Sequence, residues 1–398
     1  MAGELLLEIG IAFTAVAVAG SLAYRIGLSV IPAYILVGIL VGPNEPTAIG
    51  SVPLTLVTDG DLISGMAELG IVFLLFFLGL EFSVTQLLRD RTRIVKIGFV
   101  DLVANFGVGV ALALAFGFSP IETLFLAGIV YISSSAVITK SLIDEGWVAN
   151  PESGPILGTL VFEDVFIAIY LAVLSAVALG EGTLADAGTA VGIAFVFLGT
   201  LTAVAWYGTE YVERLFGTDS DELFLLRVFG VTALIAGAAL ATGVSEAVAA
   251  FFVGTAFSQT DHTERIEHVV APARDLFAAI FFLSIGLTTE ITVLAGVLDL
   301  LAVALVLTTA SKLVSGALSG RVYGLDSRRS LRVGLGMVPR GEFSLVIAAL
   351  AASVGGPTLG TVVPAFAVGY VLLMSILGTL FIQNADVVER LRATGFAS

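Results

Sequence analysis

Glu163 and Asp164 stand side by side in Gly158-Thr-Leu-Val-Phe-Glu163-Asp164-Val-Phe-Ile-Ala-Ile-Tyr-Leu-Ala-Val173, an otherwise apolar run. A membrane helix of this composition places both carboxyls near the bilayer mid-plane, where a charge costs about 2.5–3.5 kcal/mol on insertion scales. Helix packing does not require that cost, so the pair reads first as an ion or proton site. Burial favours a neutral carboxyl, and a dehydrated monovalent cation favours the ionised one. Proton and cation therefore compete for Asp164, and competition at a site reached alternately from two sides is antiport. Glu163 lies about 100° round the helix from Asp164 and does not offer a ligand in the same direction.

Of the 18 basic residues, sixteen lie in or beside loops on one side and two, Lys312 and Arg340, lie inside apolar spans. Lys312 paired with Glu163 would stabilise both charges. If that pair breaks on protonation, Lys312 becomes a second proton carrier. Ser133, Ser134 and Ser135 offer hydroxyls, and carbonyls where the helix unwinds, and hard cations take oxygen ligands. Arg340 and Glu342 are two apart and do not face each other on a regular helix. In an interrupted helix they pair or meet the half-helix dipoles, so they read as positioning groups. His262 and His268, the only histidines, share one loop and are candidates for pH sensing. Each reading has a structural alternative: Asp164 as a hydrogen-bonded strut, Glu163–Lys312 as a fixed pair, the serines as small packing residues, the histidines as ordinary surface groups. Glu68, Glu81, Asp101 and Glu246 read as acids near span ends and are assigned no role.

The elements that must position these groups are transmembrane. The chain has 398 residues, 58% hydrophobic and 13% charged, with mean hydropathy +1.05, whereas soluble domains carry about 25% charged residues. It is expected to be an all-α polytopic membrane protein. The absence of cysteine excludes disulfides and thiolate metal or redox chemistry. The N-terminus, with Glu4 and Glu8 and no basic region, does not read as a cleaved signal peptide. Net charge is −15 and lysine is confined to Lys96, Lys140 and Lys312, leaving a salt-adapted organism and ordinary loop chemistry as alternative explanations.

Hydropathy predicts thirteen spans near 4–24, 29–43, 61–82, 93–117, 120–142, 153–179, 185–208, 222–242, 245–259, 268–287, 292–318, 330–353 and 360–384. The second and ninth are short, suggesting tilt or burial within protein. The sixteen cations in or beside loops all fall on one side: Arg25; Arg89, Arg91, Arg93 and Lys96; Lys140; Arg214 and Arg227; Arg265 and Arg274; Arg321, Arg328, Arg329 and Arg332; Arg390 and Arg392. The other side carries Glu45, Asp59, Asp61, Glu181, Asp186 and Glu290. That bias predicts an external N-terminus and a cytoplasmic C-terminus. Thirteen divides as six, one linker and six, the inverted-topology repeat of secondary transporters. The fifth span contains Tyr131-Ile-Ser133-Ser134-Ser135-Ala-Val-Ile-Thr139, and its counterpart, the twelfth, contains Gly334-Leu-Gly336-Met-Val-Pro339-Arg340-Gly341-Glu342-Phe-Ser344. Two interrupted segments at matching places point to a mid-membrane site.

The stretches Ser133-Ser134-Ser135-Ala-Val, Phe162-Glu163-Asp164, Phe281-Phe-Leu-Ser-Ile-Gly286-Leu and Pro339-Arg340-Gly341-Glu342-Phe-Ser344 resemble the second cation/proton antiporter family. That family contains the Kef- and KhtU-like potassium transporters and bacterial sodium/proton exchangers. The likeness covers nearly the whole chain. Ser258-Gln-Thr-Asp-His262-Thr-Glu-Arg-Ile-Glu-His268, with Phe-Glu-Asp, looks most like the potassium/proton branch gated by a separate small cytoplasmic subunit. The resemblance implies a prokaryotic cell membrane, a homodimer, no cofactor, and crossed broken helices at spans five and twelve. It also implies a core of about 93–179 and 292–384 moving against a dimerisation scaffold of about 4–82 and 222–287. A linker helix near 185–208 would join the two halves of a 1–384 transmembrane domain, with a tail at 385–398. Asp164 matches the family's ion-binding aspartate and Glu163 the variable residue before it. Lys312 matches a lysine of electrogenic sodium/proton exchangers.

The expected function is K⁺/H⁺ antiport, with electrogenic Na⁺/H⁺ antiport through Lys312 as the alternative. A cation channel is more distant, since no Thr-Val-Gly-Tyr-Gly filter is present. An intramembrane aspartyl protease would need a second aspartate in its own glycine motif, and Asp275 and Asp299 lack that context. No phosphate-binding Gly-x-x-x-x-Gly-Lys loop supports ATP-driven pumping, and nothing points to nucleic acid.

Overall fold

The computed structural model describes residues 2–44, 47–49, 52–58, 60–81, 91–179, 192, 196, 209–241, 246–258 and 260–385. All of the predicted seventh span but residues 192 and 196, all of the tail beyond residue 385, and Glu45, Asp59, Arg89, Glu181, Asp186, Gln259, Arg390 and Arg392 lie outside the described residues. Twelve of the thirteen predicted spans are present as helices. Spans one to four are Ala2–Arg25, Val30–Val41, Asp61–Glu81 and Arg91–Ala115. Span five is split into Pro120–Tyr131 and Ser135–Asp144, and span six is Ser153–Leu179. Spans eight to eleven are Asp221–Ala241, Glu246–Phe257, Ala271–Thr288 and Leu298–Val322. Span twelve is split into Ser327–Gly336 and Glu342–Val354, and span thirteen is Val363–Gln383, entered through a π-helical turn at Thr358–Val362. Eight of the described helices are long and apolar enough to cross a membrane. The protein is an all-α polytopic membrane protein built on inverted six-helix repeats with two crossed discontinuous helices. The only described strand pairing is a two-residue hairpin, Ala48–Ile49 with Val52–Pro53, in the loop after span two.

Spans two and nine have twelve residues each, about 18 Å of helix at 1.5 Å per residue, well short of a hydrocarbon core of about 30 Å. Both are held by partners. Span two lies on span ten, and span nine lies on span three. Each contact is made backbone to backbone across glycines. A Cβ on Gly38 would overlap the Leu283 carbonyl and Gly286, and one on Gly286 would overlap the Ile35 carbonyl and Gly38. Likewise a Cβ on Gly79 would overlap the Phe251 carbonyl, and one on Gly254 the Phe76 carbonyl. The two crossings are related by the repeat, and the sequence echoes it: Ala33-Tyr-Ile-Leu-Val-Gly38 in span two, Ala249-Ala-Phe-Phe-Val-Gly254 in span nine. Small residues permit this approach in lipid, where no hydrophobic force drives helices together.

Contacts between loops fix which ends lie together. Arg93 sits over the Tyr323 ring, Arg332 over Trp147 and beside Glu152, and Arg265 pairs with Asp221. The loops joined this way are those predicted to carry the basic residues. At the other end Asn44 donates to the Leu287 carbonyl. Spans four and eleven pack against each other, and each also lies along the first half of the neighbouring broken helix.

Candidate ion-binding site

The unwound segments of spans five and twelve meet. The Ser134 N–H donates to the Pro339 carbonyl at 3.0 Å, and a Cβ on Gly341 would overlap the Ser134 side chain, so a side chain at 341 would force Ser134 to shift. The break exposes four half-helix ends in the middle of the protein, and the sequence meets each with a group of matching sign. Arg340, fully buried, serves the two C-terminal ends. Its Nε donates to the Val130 carbonyl at 3.2 Å, and its Nη1 donates to the carbonyls of Met337 at 3.1 Å and Val338 at 2.9 Å. At the N-terminal ends, Ser134 Oγ accepts from the Val137 N–H at 3.2 Å and donates to Glu342 Oε2 at 2.8 Å. Glu342 itself opens Glu342–Val354. Arg340 and Glu342 thus act on helix ends of opposite polarity, the second of the two arrangements expected from their spacing.

Asp164 is half-buried, and its Oδ1 accepts from Ser135 Oγ at 3.2 Å. Ser135 and Glu342 both line a cavity of about 750 Å³ between the broken helices and spans two, three and ten. Ser29, Thr139, Arg274 and Asp275 also line it, which places its mouth at the basic end. A second cavity, of about 480 Å³, opens between spans three, ten, twelve and thirteen and contains Glu68, Ser284, Thr288 and Glu290. The two back onto one layer: Phe281 and Leu345 line the second, while Phe282 and Phe343 line the first, and all four are buried.

Behind Asp164, Lys312 Nζ lies 2.6 Å from Glu163 Oε1 and 2.7 Å from Asp101 Oδ2. Glu163 Oε2 accepts from the Ser133 N–H at 2.7 Å, and Oε1 accepts from Ser133 Oγ at 3.0 Å. Asp101 Oδ1 accepts from Ser315 Oγ and from Asn105 Nδ2, both at 2.8 Å. The Tyr131 ring lies 5.3 Å from the ammonium.

Asp101 corrects the sequence reading, which treated it as a solvated acid. Its side chain is 1% exposed and shares Lys312 with Glu163. It occupies the eleventh position of the 25-residue span four, and the signal that could have found it is Asn105, four residues on and therefore on the same helix face. The three serines are separated by the break: Ser133 faces Glu163, Ser134 faces Glu342 and Ser135 faces Asp164. His262 and His268 lie far from this cluster, in and just before Thr263–Val269. His262 Nε2 is 3.3 Å from the Glu213 carbonyl, and His268 is exposed. Among the described residues no group of three or more His, Cys, Asp or Glu is arranged to hold a metal ion.

The description "Sodium/hydrogen exchanger, transmembrane" matches residues 11–384. The chain belongs to the sodium/hydrogen exchanger family. Within this exchanger family it is 38% identical over 389 residues to the K⁺/H⁺ antiporter subunit KhtU of Bacillus subtilis, covering 98% of this chain and 95% of that protein. It is 32% identical over 385 residues to the ammonium/H⁺ antiporter subunit AmhT of Alkalihalophilus pseudofirmus, covering 96% and 93%. The fold matches the sodium proton antiporter MjNhaP1 of Methanocaldococcus jannaschii with TM-score 0.69 at 16% identity, over 97% of this chain and 98% of that one. This exchanger is a multi-pass cation/proton antiporter.

Proposed function

We propose that the protein exchanges K⁺ for H⁺ at Asp164, one proton for one cation, by alternating access. The observation that carries this reading is the position of Asp164: bonded to Ser135 at the crossing of two broken helices, beside a cavity open to one end and backed by a buried aromatic layer. Carboxylate, hydroxyl and freed carbonyl oxygens suit a dehydrated monovalent cation. The cation and the proton exclude each other there, so apparent cation affinity falls as pH falls. The likeness to a K⁺/H⁺ antiporter over 98% of the chain supports potassium as the cargo, and the AmhT likeness makes ammonium the competitor to exclude. In this reading the basic end is cytoplasmic, the cavity at Asp164 faces inward, and spans four to six and eleven to thirteen move against a dimerisation scaffold of spans one to three and eight to ten.

The test is proton flux in proteoliposomes challenged in turn with K⁺, Na⁺ and NH₄⁺. Native protein should respond most strongly to K⁺, with a reversal point that does not move with voltage. Asp164→Asn should form folded protein without cation-driven proton flux. Persistent pH-dependent exchange in Asp164→Asn would move the site elsewhere.

A further inference from the structure

Lys312 is held by two carboxylates, and the charges do not balance. Its Nζ stands 2.7 Å from Asp101 Oδ2 and 2.6 Å from Glu163 Oε1, with the three side chains 0–1% exposed. None of the three lines the cavity that reaches Ser135 and Glu342. Fully ionised, the unit would carry one uncompensated negative charge away from water, the arrangement a protein avoids by protonating one acid. The other ionisable groups packed around it do not supply the missing positive charge. Asp164 follows Glu163 on span six, Glu342 faces Ser134, and Tyr131 presents its ring to the ammonium. Arg340 directs its Nε and Nη1 at carbonyls of two half-helix ends.

We infer that Asp101 and Glu163 hold one captive proton between them, so that the Asp101–Lys312–Glu163 unit is electrically neutral. Hydrogen-bond geometry gives the proton a seat on either acid. Glu163 Oε1 faces the Ser133 hydroxyl at 3.0 Å, which can turn its hydrogen towards the Met337 carbonyl at 3.4 Å and accept from a protonated Glu163. Asp101 Oδ1 is served in the same way. The Ser315 hydroxyl, 2.8 Å away, can turn its hydrogen towards the Lys312 carbonyl at 3.4 Å and accept from a protonated Asp101. With the unit neutral, Lys312 stays charged through the cycle and is a strut rather than a carrier. Asp164 alone then trades its load, which deepens the antiport reading by fixing its stoichiometry and rests on it for that consequence only.

The captive proton is read directly by infrared difference spectroscopy of the purified protein in lipid. Native protein should show the carbonyl stretch of a buried, protonated carboxylic acid. That band should vanish in Asp101→Asn and equally in Glu163→Gln, because either change leaves one carboxylate for one ammonium. If one variant does not fold, the other reads the same quantity. The band should persist in Asp164→Asn, whether or not that variant still exchanges ions, so failure of the antiport reading and failure of this one are separate results. A native spectrum whose carboxylic-acid region is unchanged by both substitutions at 101 and 163 would overturn the proposal. So would loss on cation addition of the same band that Asp101→Asn and Glu163→Gln remove, over and above any change in the band of Asp164, since that would mark an exchangeable proton instead of a captive one.

Discussion

Lys312 and Arg340 are the two cations a bilayer should most resist, and their surroundings differ in kind. Lys312 meets charge with charge, whereas Arg340 meets the partial charges of carbonyls at two helix ends. Removing one member of a buried ion pair leaves its partners uncompensated, at a cost of about 3–5 kcal/mol. Lys312→Gln should therefore lower the melting temperature of the solubilised protein markedly, while the voltage-independence of the reversal point survives in whatever protein remains folded. A variant of normal stability with altered stoichiometry would make Lys312 a carrier. Ser133 belongs to the same unit, since it gives Glu163 both its N–H and its hydroxyl, whereas Ser135, two residues on, serves Asp164.

At the scale of elements, the site exists because two helices stop. Glycine at 341 lets the unwound segments touch, and the ends so created are neutralised by Arg340 on one polarity and by the Ser134–Glu342 pair on the other. The short spans two and nine solve a related problem. Too short to cross alone, they are held by glycine crossings against spans ten and three. A methyl group at such a crossing must force the backbones apart, and overpacking typically costs about 1–3 kcal/mol. Gly254→Ala should accordingly lower thermal stability, whereas Gly230→Ala, in span eight with nothing within 4 Å of the added carbon, should leave it unchanged or slightly raise it. Equal melting temperatures for the two variants would remove the close crossing as a source of stability.

For the whole molecule, the informative asymmetry is between its two cavities. One reaches the residues around Asp164 from the basic end; the other, from the opposite end, stops at Phe281 and Leu345. The chain has no cysteine, so a single introduced thiol reports access without background. Thr139, exposed and lining the first cavity, is the place to put it. In vesicles of known orientation, Thr139→Cys should react with an impermeant maleimide added to the cytoplasmic face and resist the same reagent outside. Labelling only from outside would reverse the orientation taken from the loop charges.

What the sequence by itself determined is whatever a local pattern or an isolated cost can reveal. Twenty-residue hydropathy periods defined the spans, the one-sided arginines ordered their ends, and Ser133–Ser135 and Pro339–Gly341 marked the two interruptions. The price of a charge in lipid singled out Glu163, Asp164, Lys312 and Arg340. Tertiary structure decided who partners whom. Asp101 finds Lys312 across 211 residues of chain, and Glu163 finds it across 149, separations over which no periodicity carries information. Asp101 escaped notice for that reason: in a span that also contains Lys96 and Asn105, its cost looked like that of any acid near a helix end. The close glycine crossings were hidden in the same way, because a glycine in an apolar helix looks alike whether it faces lipid or the backbone of another span. Burial is a property of the neighbour, and the neighbour is supplied only by the fold.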